Sequence, residues 1–180
     1  MNPVESSKTL NMSTTFFSVN EISGSTGWQR IRVRKYEDND NRKVTADAIR
    51  LVDNSGATPV YYTVDNADSN GQYGYFDDDY DYWTLSSSDA WGGTARVTRD
   101  DWESVIWYFK VPAGTYDVEV YIPSQTDLSY RVEYEYENSA SVDVDLAHPF
   151  DQRINTNTWR YVATQDFIDT DYLTFDIPVA

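Results

Sequence analysis

Tyr130-Arg131-Val132-Glu133-Tyr134-Glu135-Tyr136-Glu137 places an aromatic or aliphatic residue at every second position with a charged residue between. A period of two belongs to a β-strand with one face buried, because successive side chains of a strand point to opposite faces. The same alternation runs through Tyr116, Val118, Val120 and Ile122, with Asp117, Glu119 and Tyr121 between them. It returns in Val142, Val144 and Leu146 around Asp143 and Asp145, and in Ile31 and Val33 among Arg30, Arg32 and Arg34. Ser104-Val105-Ile106-Trp107-Tyr108-Phe109-Lys110-Val111 is apolar on both faces, as a central strand would be. Turn chemistry parts these runs at Asp53-Asn54-Ser55-Gly56, Pro112-Ala113-Gly114, Pro123-Ser124 and Glu137-Asn138-Ser139. No helical stripe competes. The expected fold is all-β, an antiparallel β-sandwich of jelly-roll-like type. Asp65 to Asp101, rich in Gly, Ser, Asp and aromatics, is expected to form long loops around one or two short strands.

The chain has 180 residues, 16% of them aromatic, which is ample for a packed core. Its net charge of −16 argues against nucleic acid or an anionic membrane surface as a partner, since phosphate binding needs a basic footprint. No apolar run reaches transmembrane length, and Met1–Leu10 lacks the apolar core of a signal peptide. A secreted protein would therefore be present here in a mature form. The absence of Cys excludes disulfides and thiolate chemistry.

A motif occurs twice. Val19-Asn20-Glu21 stands as far before Trp28 as Phe150-Asp151-Gln152 stands before Trp159, and Ile31, Val33, Tyr36, Asp38 and Asp40 then keep step with Val162, Thr164, Phe167, Asp169 and Asp171. A strand-like segment follows each copy, Lys43 to Val52 and Tyr172 to Ile177. The second copy has a long run of strands before it; the first has almost nothing. The division expected is a β arm over residues 1–54, the tail of a repeat unit, and a sandwich module over 55–180. Residues 1–52 carry eight Lys and Arg against six acids, so the rest carries −18. A basic arm complements an acidic body, its own or a neighbour's.

Asp65-Asn66, Trp83, Trp91, Val105–Phe109, the run Pro112-Ala113-Gly114-Thr115-Tyr116-Asp117-Val118, Asp151-Gln152 and Trp159 occur in the order of the golvesin-type module, which is also found at the C-terminus of xanthan lyases. The chain resembles that family over roughly Val60–Ala180. Ala46-Asp47-Ala48-Ile49-Arg50-Leu51 is similar to the family's closing motif, but here it lies in the arm, and the body ends without a clear copy. The resemblance implies a non-catalytic, often secreted β-sandwich accessory module, extracellular or at the cell surface, that binds carbohydrate or a surface polymer.

Candidate chemistry is sparse. The single His148, followed by Pro149, gives His-dependent catalysis or zinc little to work with, and a strand-end or loop residue is the simpler account. Tyr75, Tyr80, Tyr82, Trp83 and Trp91 are candidates for a sugar-stacking platform; the competing account is an inward-folded mini-core. Asp77, Asp78, Asp79 and Asp81 are candidates for Ca²⁺, against a solvated acidic loop. Trp28 and Trp159 are expected as core anchors. The arm's Trp28, Arg30, Arg32, Arg34, Asp47, Ile49 and Arg50 are the candidate assembly residues. Its strands need sheet partners and find them in their own body or, by head-to-tail donation, in the next copy of an extracellular filament.

Overall fold

The computed structural model describes residues 29–35, 41–69, 71–78, 83–86, 89–101, 103–138 and 142–168. Trp28, Tyr80, Tyr82, Asp79, Asp81 and the strand expected over Tyr172–Ile177 lie outside these. The described residues form twelve strands: β1 (Gln29–Lys35), β2 (Val44–Ala46), β3 (Ala48–Asp53), β4 (Val60–Asp65), β5 (Gly74–Asp78), β6 (Thr84–Ser86), β7 (Ala95–Thr98), β8 (Ser104–Phe109), β9 (Gly114–Ile122), β10 (Val132–Asn138), β11 (Asp143–Phe150) and β12 (Thr158–Phe167). A 3₁₀ turn, Trp91–Gly93, precedes β7. No helix among the described residues is long and apolar enough to cross a membrane.

The strands form a five-stranded sheet, β11-β10-β1-β8-β5, a four-stranded sheet, β12-β9-β3-β4, and a small sheet, β2-β7-β6, all antiparallel. The two larger sheets pack face to face as a β-sandwich. Phe109 of β8 and Tyr136 of β10 meet Phe167 of β12 at ring separations of 6.0 and 4.9 Å. Ile31, Val33, Val105 and Trp107 from one sheet and Ile49, Leu51, Val118 and Val120 from the other complete the core, with Val44 of the small sheet and Trp83 just before β6. In β1, β9 and β10 the inward set is the one that alternation marks, because a strand has one face to bury and a shift by one residue would expose it; Tyr130 and Val142, which the same alternation marks, precede β10 and β11 and are exposed. The apolar run 104–111 supplies β8, an interior strand as expected.

Both strand runs of the N-terminal segment take interior places in the chain's own sheets. β1 lies between β10 and β8, with Ile31 opposite Tyr136 and Trp107. β3 lies between β9 and β4, with Ile49 opposite Val120 and Val64. The expected division between arm and body, after residue 54, falls within the hairpin loop 54–59 that joins β3 to β4. The two motif copies have different surroundings: Ile31 and Val33 are buried in an interior strand, whereas β12 is an edge strand on which Thr164 is exposed.

On the outer side of β1, Arg30, Arg32 and Arg34 stand opposite Glu137, Glu135 and Glu133 of β10. Each Nε donates to the facing carboxylate, at 2.6 Å for Arg30 and 2.7 Å for Arg32. Arg32 also reaches Glu137 at 2.9 Å, and Arg34 reaches Glu135 at 3.3 Å, so the pairs form a continuous ladder. The basic arm thus meets acidic residues of its own body. Gln152 adds a second tie: its side chain accepts from the Thr45 N–H and donates to the Thr45 carbonyl and the Tyr134 hydroxyl, each at 2.9 Å.

Candidate functional site

The outer face of the four-stranded sheet carries the residues that alternation directs away from the core. In β9, Tyr116, Val118, Val120 and Ile122 point inward, which leaves Asp117, Glu119 and Tyr121 outside. In β3, Ile49 and Leu51 point inward and Arg50 outward. Antiparallel register brings Trp159 of β12 opposite Tyr121, Tyr161 opposite Glu119, and Arg50 between Glu119 and Thr63. Tyr61 of β4 lies opposite Val52 of β3.

These side chains form one aromatic surface. Trp159 meets Tyr121 edge to face at 5.5 Å and Trp91 at 5.1 Å, and Trp91 lies 5.7 Å from Tyr121. The Arg50 guanidinium bridges Trp159 and Tyr61, 4.3 and 4.7 Å from their ring centres. Glu119 accepts from Arg50 Nε and Nη2 at 2.6 Å each, so the cation on this face is already neutralised. Trp91, Tyr61 and Tyr161 remain 43, 48 and 57% exposed. Beside Trp159 a shallow cleft of about 600 Å³ is lined by Asn155, Thr156, Thr158, Trp159, Arg160 and Tyr161, a set rich in hydroxyl and amide groups.

Trp91 is held on this face by its own turn. Its N–H donates to Asp47 Oδ2 at 2.9 Å. Gly92 has φ +65°, and a Cβ there would stand 1.8 Å from Asp65 Oδ2, so only glycine lets the chain pass so close to that carboxylate. Asp47 is 2% exposed, and burial pushes its pKa up to about 8 against the opposing effect of the Trp91 N–H. Asp65 is pushed up to about 6, again chiefly by burial.

Of the residues singled out from sequence, Trp91 belongs to this surface. Trp83 does not: it is 2% exposed and part of the core. Tyr75 lies on β5 in the other sheet, stacked on Tyr108 at 4.5 Å. The described members of the expected platform are therefore not brought together. Asp77 and Asp78 lie on β5. Among the described residues, the acidic group whose ligand atoms converge is Glu133, Glu135 and Asp145, within 4.8 Å of one another. Glu133 and Glu135 there already serve Arg34 and Arg32.

Of the assembly candidates, Arg30, Arg32 and Arg34 form the ladder, Ile49 is core, Asp47 holds the Trp91 turn and Arg50 joins the aromatic face. Trp159, read as a core anchor, is half-buried on this face, because β12 is an edge strand and its neighbour there is Tyr121. Tyr121 carried a signal of its own, as the only aromatic among the outward residues of β9. His148 Nδ1 lies 3.4 Å from Glu133 Oε1, on the edge strand β11.

No protein-family model matches the chain, and no curated protein and no solved structure is significantly similar to it.

Proposed function

We propose that this protein is a glycan-binding module whose binding surface is the outer face of β12-β9-β3-β4. The observation that carries the reading is the exposed cluster of Trp91, Tyr121 and Trp159, with Arg50 and Tyr61 extending it across the sheet. Flat rings suit the apolar faces of pyranose rings. The flanking hydroxyls, amides and carboxylates, including Thr63, Thr164, Asn157 and Asp117, can take sugar hydroxyls as hydrogen-bond partners. This is the kind of module that the golvesin-type resemblance implies, with the sugar-facing residues on the sheet strands and Trp91 joining them from its turn.

The preferred glycan is uncharged. Arg50 is paired with Glu119, Asp117 lies nearby, and the chain carries −16, so a polyanionic chain meets net repulsion. A stacking ring contributes about 0.5–1.5 kcal/mol beyond its area, and 1.4 kcal/mol is tenfold in affinity. Trp159→Ala and Trp91→Ala are each expected to weaken binding about tenfold in affinity electrophoresis against neutral polysaccharides, with folding intact. Unchanged mobility of both variants in every gel that retards the wild type would refute the assignment. Strand donation into a filament, the other expectation raised by the arm, would require β1 and β3 to leave their own sheets. Their seating within the chain supports the binding reading.

A further inference from the structure

We infer that Asp47 and Asp65 hold a calcium ion beneath the Trp91–Gly93 turn, and that the ion fixes Trp91 on the outer face of the sheet. The second half of this inference rests on the glycan-binding reading; the first does not.

Asp47 sits between β2 and β3, 2% exposed. Its main chain is committed, since its carbonyl accepts from the Asn66 N–H at 2.8 Å. One carboxylate oxygen, Oδ2, takes the Trp91 N–H. The other, Oδ1, is buried without a hydrogen-bond partner. Among the described residues no Lys or Arg forms an ion pair with Asp47 or Asp65. The Asp65 carboxylate takes the main-chain N–H groups of Asn66 and Ala67, and the charged neighbours are acidic. Asp65 acts on Asp47, Asp68 acts on Asp65, and Asp47 and Asp89 both act on the Tyr121 hydroxyl.

A buried carboxylate in such a field must be neutralised, by a proton or by a cation. A proton would leave Asp47 Oδ1 as a buried O–H donor with no acceptor. A cation uses that oxygen directly. The donors on offer are carboxylates, with no Cys in the chain and its one His on the distant strand β11, which selects a hard ion. Calcium suits a two-carboxylate site best, because it accepts irregular shells of six to eight oxygens, whereas magnesium demands a near-ideal octahedron. Main-chain carbonyls and water would supply the remaining ligands.

The link to the binding face is short. Asp47 grips residue 91 through its N–H, and Asp65 packs against Gly92. An ion bound to the pair would lock adjacent residues of the turn, and with them the indole that touches Trp159 and Tyr121.

The test is titration of CaCl₂ into EDTA-treated full-length protein by calorimetry, with thermal melting alongside. The wild type is expected to bind one calcium, with the melting midpoint raised by roughly 5 °C at saturation, and magnesium is expected to bind at least tenfold more weakly. Asp47→Asn and Asp65→Asn should each reduce calcium affinity at least tenfold. The Asp77→Asn/Asp78→Asn double variant should leave it unchanged, and Trp91→Ala should keep calcium binding while weakening glycan binding about tenfold. Calcium binding that survives Asp47→Asn, or that is lost in the β5 double variant, overturns the site. So does the absence of any calcium heat in the wild type. If calcium binds as expected but no neutral glycan does, the ion site stands and the glycan reading falls.

Discussion

Replacing Arg32 by valine tests whether the Arg–Glu ladder is structural or ornamental. Arg32 is the middle rung. Its Nη2 lies 2.5 Å from Glu135 and 2.9 Å from Glu137, and its Nε donates to Glu135 at 2.7 Å. Without it Glu135, whose side chain is 7% exposed, keeps only the 3.3 Å contact from Arg34. Stranding one partner of a fully buried pair costs about 3–5 kcal/mol. Arg32 is partly exposed and Arg34 compensates in part, so the expected loss is about 2 kcal/mol. Valine keeps strand preference, so little of that loss is conformational. Urea unfolding of Arg32→Val, Glu135→Val and the double variant forms a closed cycle. The double variant should lie within about 1 kcal/mol of the wild type, because the uncompensated charge is then gone and two β-branched side chains face each other across the ladder. Additive single losses, or an Arg32→Val variant as stable as the wild type, would refute the reasoning and reduce the ladder to surface decoration.

Gly92→Ala should cost about 1–2 kcal/mol for its left-handed backbone and abolish glycan binding more completely than stability, since the added Cβ meets Asp65 Oδ2; melting and affinity electrophoresis on one preparation separate the two effects. Trp83→Ala should cost about 3–5 kcal/mol as a core truncation, whereas Trp91→Ala should stay within about 1 kcal/mol, a contrast that chemical denaturation reads directly and that equal losses would contradict. In EDTA, Asp47 has a folded pKa of about 8 against an ordinary value of 3.8, so the folded state binds more protons than the unfolded state throughout that interval. Its contribution to stability is therefore full below about pH 4 and is lost as pH rises towards 8. Asp47→Asn should remove that part of the decline between pH 5 and 8, and a variant with the wild-type slope would disprove it.

The sandwich was legible because alternation is local: Val132–Glu137 and Tyr116–Ile122 state their inward and outward faces without knowledge of any partner. The binding face was not, because it depends on register between strands far apart in the chain. Nothing in the sequence near Trp159 says that Tyr121 lies opposite it, nor that Arg50 will sit between its ring and that of Tyr61. Clustering in sequence misled for the same reason. Tyr75, Trp83 and Trp91 are neighbours along the chain, yet one stacks on the five-stranded sheet, one enters the core and one crosses to the other sheet. The arm's charge was legible in sign and in its need of an acidic partner, but Glu133, Glu135 and Glu137 could be identified only from the pairing of β1 with β10.

The placement of β3 ties the proposed binding face to the completeness of the fold. Ile49 and Leu51 fill the core, Arg50 joins Trp159 to Tyr61, and Asp47 immediately before them holds Trp91. The N-terminal segment thus supplies an interior strand to each large sheet and also the residues around which the aromatic face is arranged. Losing it would remove sandwich and site together, since β9 and β4 would face each other across an empty position. Exchange of the same segment between two copies would preserve both, with each site then composed of residues from two chains. A dimer formed that way would bind glycan as the monomer does. Binding by a mixed preparation would distinguish the two states: a Trp159→Ala chain and an Arg50→Ala chain regain one intact site only if β3 has crossed between them.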